Sequence, residues 1–154
     1  MALRVSSPRW KQGETIPKRY TGDGADVSPP LVFEGVPAGT KSFALICDDP
    51  DAPVGTWVHW VIYDVPGATK GLPEGVAKDA SLSDGSRQGK NSWKKSGYGG
   101  PSPPPGKPHR YFFRLYALKE RLGLAPGLGA KEVEAAAQAK SLEKAEFMGT
   151  YGRP

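Results

Sequence analysis

Residues 99–111, GGPSPPPGKPHRY, restrict the fold of this chain more than any other stretch. Proline has no backbone N–H and holds φ near one value, so a loop this rich in it is stiff. Glycine lets the backbone of such a loop come close to other groups. The loop runs directly into YFFRLYAL, residues 111–118, which is apolar on both faces apart from Arg114. That pattern suits a central strand of a two-layer structure. A rigid loop that brings a histidine to the mouth of a sheet is a usual way to build a binding pocket. An earlier segment, DDPDAPVGTWVH (residues 48–59), makes a second delivery of the same kind.

The rest of the chain supports a β architecture. Its 154 residues fit one domain, 1–154, with a proper core. With 20 glycines, 16 prolines and 38% hydrophobic residues, it favours many short strands joined by shaped turns over a helical bundle. Strands are predicted over residues 31–33, 42–47, 57–65 and 111–118. Strict alternation in the third would place Trp57, His59, Val61, Tyr63 and Val65 on one face. Residues 66–98 read as polar loop. Residues 130–140 predict a helix, with Val133, Ala136, Ala137 and Lys140 on one side. Alternation of Ala145, Phe147, Gly149 and Tyr151 predicts a final strand. Together these elements predict a mainly β fold, an antiparallel Greek-key β-sandwich with one or two peripheral helices.

Charge and cysteine usage narrow the function classes. The net charge of +5 favours anionic ligands without identifying one. A single cysteine, Cys47, excludes an intrachain disulfide and reads as a small core residue. The polar start of the chain has no signal-peptide pattern, and no run is long enough for a membrane span, so a cytoplasmic location is expected. Exposed aromatics such as Trp10 would suit a homodimer.

The only two histidines, His59 and His109, both stand at strand entrances after Gly/Pro-rich loops. Each has an aromatic neighbour two residues away on the same face, Trp57 and Tyr111. Asp51 is expected to cap the turn beside its prolines. Asp49 is placed to reach an imidazole, set its tautomer and favour its charged form. An Asp–His–His cluster beside glycine N–H groups suits a phosphate or carboxylate, which needs donors more than a nucleophile. An alternative is a hydrolase acting on phosphoesters or acyl groups, with Asp49 and His59 as its acid–base pair. No G-x-S-x-G elbow supplies a nucleophile for it. A metal site from Asp49, His59 and His109 is chemically feasible, but no HExxH or CxxC accompanies it. Neither GSRQGK nor the Pro-rich loop has P-loop spacing. The stretch KNSWKK (residues 90–95) reads as a solvated loop whose Trp93 packs beside the pocket, and not as a nucleic-acid site.

At these residues the chain resembles the phosphatidylethanolamine-binding protein family, the Raf kinase inhibitor-like proteins, and above all its short bacterial and archaeal branch. The matching pieces are SPPLVFEGVPAGTKSFALICDDPDAP, WVHWVIYDVP, GLPEG, GYGGPSPPPGKPHRYFFRLYAL and GTYGR, in family order along nearly the whole chain. The resemblance implies a non-catalytic binding protein with a small anion pocket for phosphate or a phospholipid headgroup. It implies no cofactor, and it allows a kinase or protease as the inhibited target. The implied pocket comprises Asp49, Pro53, Trp57, His59, Pro103, Pro104, His109 and Tyr111, with Gly100 and Ser102 lending backbone donors. It also implies a cis bond at Ala52–Pro53. Two departures stand out. Ser102 lies where bacterial relatives often carry cysteine, and the chain stops soon after GTYGR, where the animal proteins continue into a further helix.

Overall fold

The computed structural model describes residues 2–154. Among these residues, two antiparallel sheets, one α-helix and a short 3-10 helix at Lys18–Tyr20 make up the regular structure. The smaller sheet runs β1 (Arg4–Ser6), β2 (Leu31–Glu34) and β5 (Gly71–Leu72) in the order β1-β2-β5. The larger contains β3 (Ser42–Asp49), β4 (Trp57–Pro66), β6 (Arg87–Gln88), β7 (His109–Leu118) and β8 (Ser141–Tyr151), ordered β6-β4-β3-β7-β8. The helix, α1 (Ala130–Lys140), has the bounds the alanine-rich periodicity predicts. No helix among the described residues is long and apolar enough to cross a membrane.

β3 is buried along its whole length because it lies between β4 and β7 and both of its faces are covered. On one face Phe43, Leu45 and Cys47 join Trp60, Ile62, Phe113, Leu115 and Phe147 against Val5, Leu31, Phe33 and Leu72 of the smaller sheet. On the other, Ala44, Ile46, Val61, Tyr63, Tyr116 and Leu118 pack under Val133 and Ala137 of α1. Full burial of a side chain such as Leu45 stabilises by about 1.5–3 kcal/mol. These two apolar layers therefore hold the large sheet from both sides.

The alternation expected along β4 is interrupted. Trp60, Ile62 and Val65 face the core between the sheets, whereas Val61 and Tyr63, with Val58 beside them, face the helix. The β3–β4 register shifts between Phe43 and Leu45 and again between Cys47 and Asp48. Each irregularity adds a residue on one strand, and the period-2 pattern changes face there. Near the first, Asp64 adopts φ +54° and its buried carboxylate accepts the Leu122 and Gly123 N–H groups at 2.7 and 3.1 Å. A short polar side chain tolerates this left-handed conformation better than the β-branched residues around it, and here the distant Leu122 and Gly123 amides hold it in place.

Trp10 is not an exposed aromatic. It is 5% exposed, with ring centroids 5.2 Å from Phe147, 5.9 Å from Phe113 and 6.4 Å from Tyr20. Residues 11–16 lie along the free edge of β8, where the Gly13 and Ile16 N–H groups donate to Met148 and Thr150 carbonyls at 2.8 Å. That strap carries the indole into the core, where it removes more apolar surface from water than it could on an open face.

Candidate functional site

Chain topology brings the two Gly/Pro-rich segments together. β3 is flanked on opposite sides by β4 and β7, and both neighbours run antiparallel to it. The end of β3 at Asp49 therefore meets the starts of β4 and β7. Asp49 pairs with Trp57, and Asp48 with Phe112. His59 and His109, 50 positions apart in sequence, thus line one cleft at the same end of the sheet.

The two imidazoles are held in different ways. His109 Nδ1 donates to Asp49 Oδ2 at 2.7 Å, and the other oxygen of that carboxylate accepts the Asp51 N–H at 2.8 Å. Asp49 is thus the residue that caps the turn, while it also orients a ring. Asp51, expected to cap, instead grips Arg110: its Oδ1 takes Nη2 at 2.8 Å, and its Oδ2 takes Nε at 2.9 Å and the backbone N–H at 3.0 Å. The guanidinium holds the Asp51 carboxyl down to about 2. A carboxylate meets a fork-shaped guanidinium better than a single amide, so the longer-range pair prevails. Two adjacent pairs, Asp49–His109 and Asp51–Arg110, thus tie the DPDAP loop to the start of β7.

His59 is 3% exposed and its Nδ1 donates to the Gly99 carbonyl at 2.7 Å. Asp49 therefore pairs with the other imidazole, and the Asp49/His59 acid–base pair is not formed as a direct contact. The His59 ring lies edge-on to Trp93 and to Tyr111, each 5.1 Å away. Burial pushes the imidazole below its usual 6.5. Burial also raises the Tyr111 hydroxyl, and the Asp49 charge adds to that. A Cβ on Gly99 would fall 2.6 Å from the Trp93 ring, so glycine is what allows the indole to close this wall.

The cleft has a volume of about 210 Å³. Nine of the ten residues named from sequence line it: Asp49, Pro53, Trp57, His59, Ser102, Pro103, Pro104, His109 and Tyr111. Ala52, Val54 and Trp93 complete the lining. Gly100 does not belong to it. Its N–H donates to Asp26 Oδ1 at 2.7 Å, and it borders a neighbouring cleft, so it lends no donor here. Ala52–Pro53 is not cis, and no cis peptide occurs among the described residues. The Gly55 N–H closes a turn on the Ala52 carbonyl at 3.0 Å, which puts Pro53 at the second turn position, a place that trans proline fits.

Further contacts anchor these loops. Arg153 reaches Asp23 through Nη2 and Nε at 2.6 and 3.1 Å, and its Nη1 donates to the Pro103 carbonyl at 3.0 Å. The Tyr151 hydroxyl joins the same carboxylate at 2.7 Å, and together these bonds hold Asp23 at about 2. The GTYGR motif is the only sequence signal for this anchor of the Pro-rich loop. On the far face, Asp48 grips Arg114 through two bonds of 3.0 Å, with Glu146 as the second carboxylate. Cys47 is 2% exposed and burial pushes its thiol well up, which fits a core residue. Among the described residues, no group of three His, Cys, Asp or Glu side chains is placed to hold a metal ion.

The fold is thus a two-sheet β architecture with a small histidine-lined cleft at one end of its larger sheet. Comparisons specify the family. The phosphatidylethanolamine-binding protein family model matches residues 6–152. An Aquifex aeolicus relative named UPF0098 protein is 51% identical over 98% of this chain and 89% of its own. The crystal structure of Escherichia coli YbcL, described as a new member of the mammalian PEBP family, superposes with a TM-score of 0.92 at 34% identity, covering 100% of both chains. The PEBP homologue CT736 from Chlamydia trachomatis superposes at 0.89 with 35% identity, covering 99% of each chain. This chain belongs to the phosphatidylethanolamine-binding protein family.

Proposed function

We propose that this chain is a non-catalytic binding protein whose cleft holds a small oxyanion, such as phosphate or the headgroup of a phosphomonoester. One observation carries the reading. Each of two converging histidines has its Nδ1 engaged by a protein acceptor, which leaves Nε2 of both rings for a ligand. Held imidazoles serve as binding groups because their orientation costs little when the ligand arrives. Pro53, Pro103, Pro104, Trp57 and Trp93 give the cleft apolar walls, and the lower local dielectric beside them strengthens each polar contact. Nothing in the lining is an activated nucleophile. Ser102 has neither His59 nor His109 as a hydrogen-bond partner, and the names of the relatives above state no catalytic activity. A kinase or protease would be inhibited where one of its segments presents such an anion to the cleft.

The test is calorimetric titration of inorganic phosphate and a phosphomonoester into wild type, His59→Ala and His109→Ala. Wild type should bind and both variants should lose roughly tenfold or more, since hydrogen bonds to charged groups contribute about 1.5–3 kcal/mol each. Equal affinity in all three chains would refute the site.

A further inference from the structure

An oxyanion needs positive charge or donors around it, and this cleft is short of both. None of its twelve lining residues is lysine or arginine. Three are prolines, which have no N–H to offer. His109 lies against Asp49, so any positive charge on that ring is already matched by the carboxylate 2.7 Å away. The couple contributes no net positive charge in either protonation state. Only His59 remains as a group in the lining that can carry uncompensated positive charge.

The tautomer of His59 removes a further donor. A carbonyl oxygen can only accept, so the contact to Gly99 places a proton on Nδ1. In the neutral ring Nε2 is therefore a lone pair, and a fully ionised oxygen facing it would meet repulsion. The groups around the ring are Asp49 on β3, Tyr111 on β7 and the Trp93 indole, with His109 lining the same cleft and the charges of Asp48 and Asp26 also acting on the ring. The carboxylates favour a cationic ring, and its burial outweighs them.

We propose that the cleft binds its oxyanion together with one proton, held between His59 Nε2 and the ligand oxygen that faces it. This rests on the oxyanion reading above and deepens it. A ligand that arrives with an acidic hydroxyl donates that hydrogen to Nε2. A ligand without one draws a proton from solvent onto Nε2, and the solution loses one proton per complex formed. The cleft thereby favours oxyanions that still carry a hydroxyl near neutral pH, such as inorganic phosphate, or that regain one just below it, such as phosphomonoesters, over sulfate, which does neither.

Calorimetry of sulfate and inorganic phosphate in two buffers of different ionisation heat tests this. Above the His59 titration, sulfate should take up at least one proton per site, that of His59, and weaken at least roughly tenfold per pH unit, with the His109 ring, also bare at Nε2 when neutral, read separately below. Phosphate should bind more tightly there and take up fewer protons. The chain has only two histidines, so isotope-labelled histidine gives two rings to read by nuclear magnetic resonance. His59 should change from a ring bare at Nε2 to one protonated there as sulfate saturates. Sulfate binding that is flat between about pH 6 and 8, without proton uptake, overturns the proposal and leaves the oxyanion site standing. A bare His59 Nε2 in the saturated sulfate complex does the same. Failure of both anions to bind at about pH 6 overturns the site itself, and this proposal with it.

Discussion

Asp49 and His109 meet at 2.7 Å, and the second oxygen of the same carboxylate caps the Asp51 N–H at 2.8 Å. One buried side chain thus sets both the shape of the DPDAP turn and the orientation of an imidazole on another strand. The turn and the ring cannot shift independently.

Asp49→Asn should show this coupling. It removes the charge from a carboxylate only 4% exposed and replaces an acceptor-only group by one that also donates. We expect a stability loss of about 1.5–3 kcal/mol in urea unfolding, together with weaker phosphate binding. A variant with unchanged stability and affinity would show that the pair orients nothing.

Gly149 lies where a Cβ would collide with the Trp10 indole and the Ile16 side chain. Gly149→Ala should overpack the core and cost about 1–3 kcal/mol, read as a lower urea midpoint. Trp10 fluorescence should shift as the indole is displaced. A neutral result would mean that the strap over β8 yields easily.

Stability should fall on mild acidification. Burial holds the His59 imidazole below 6.5, so the unfolded ring gains its proton first as pH drops. Its contribution is complete above about 6.5 and declines as pH falls toward the folded-state value. Asp23 and Asp51, held at about 2 from 3.8, lose their contributions only at lower pH, as it falls toward about 2. Urea midpoints of the ligand-free chain should therefore decrease from about pH 7 to 5, and less steeply in His59→Gln. Identical slopes in the two chains would contradict the burial argument.

Arg153→Ala should loosen the Pro-rich loop without unfolding the chain. It frees the Pro103 carbonyl and strips Asp23 of two bonds, while the backbone contact from the Gly106 N–H to the residue 153 carbonyl survives. The expected result is faster dissociation of phosphate with a far smaller change in unfolding. Dissociation at the wild-type rate would separate this anchor from the cleft.

Cys47 should resist thiol reagents in the folded chain, because the thiolate is the reactive species and burial disfavours it. Its labelling rate should follow unfolding as urea is raised. Rapid labelling in buffer would place the thiol outside the core.

Much of this was legible locally. The bounds of α1 follow from alanine content and a 3.6-residue period, and β7 follows from an apolar run behind a proline-rich loop. The same loops mark where a cleft is built, since proline and glycine act through their own backbone. What could not be read is how particular side chains pair. Whether Asp49 or Asp51 caps the turn depends on which of them faces His109 and which faces Arg110 across β3 and β7. Arg114 gives no sign in sequence that Asp48 and Glu146 are its partners.

By itself, the sequence determined the mainly β character, the helix at residues 130–140 and the two stiff segments that carry histidines, because propensity, periodicity and proline stiffness act over a few residues. Tertiary structure alone decided that β3 lies between β4 and β7, that Trp10 turns inward, that Gly100 donates to Asp26 and that irregular register exchanges the faces of β4. Those outcomes depend on contacts between residues tens of positions apart. There, packing of both sheet faces and satisfaction of buried polar groups outweigh any local preference.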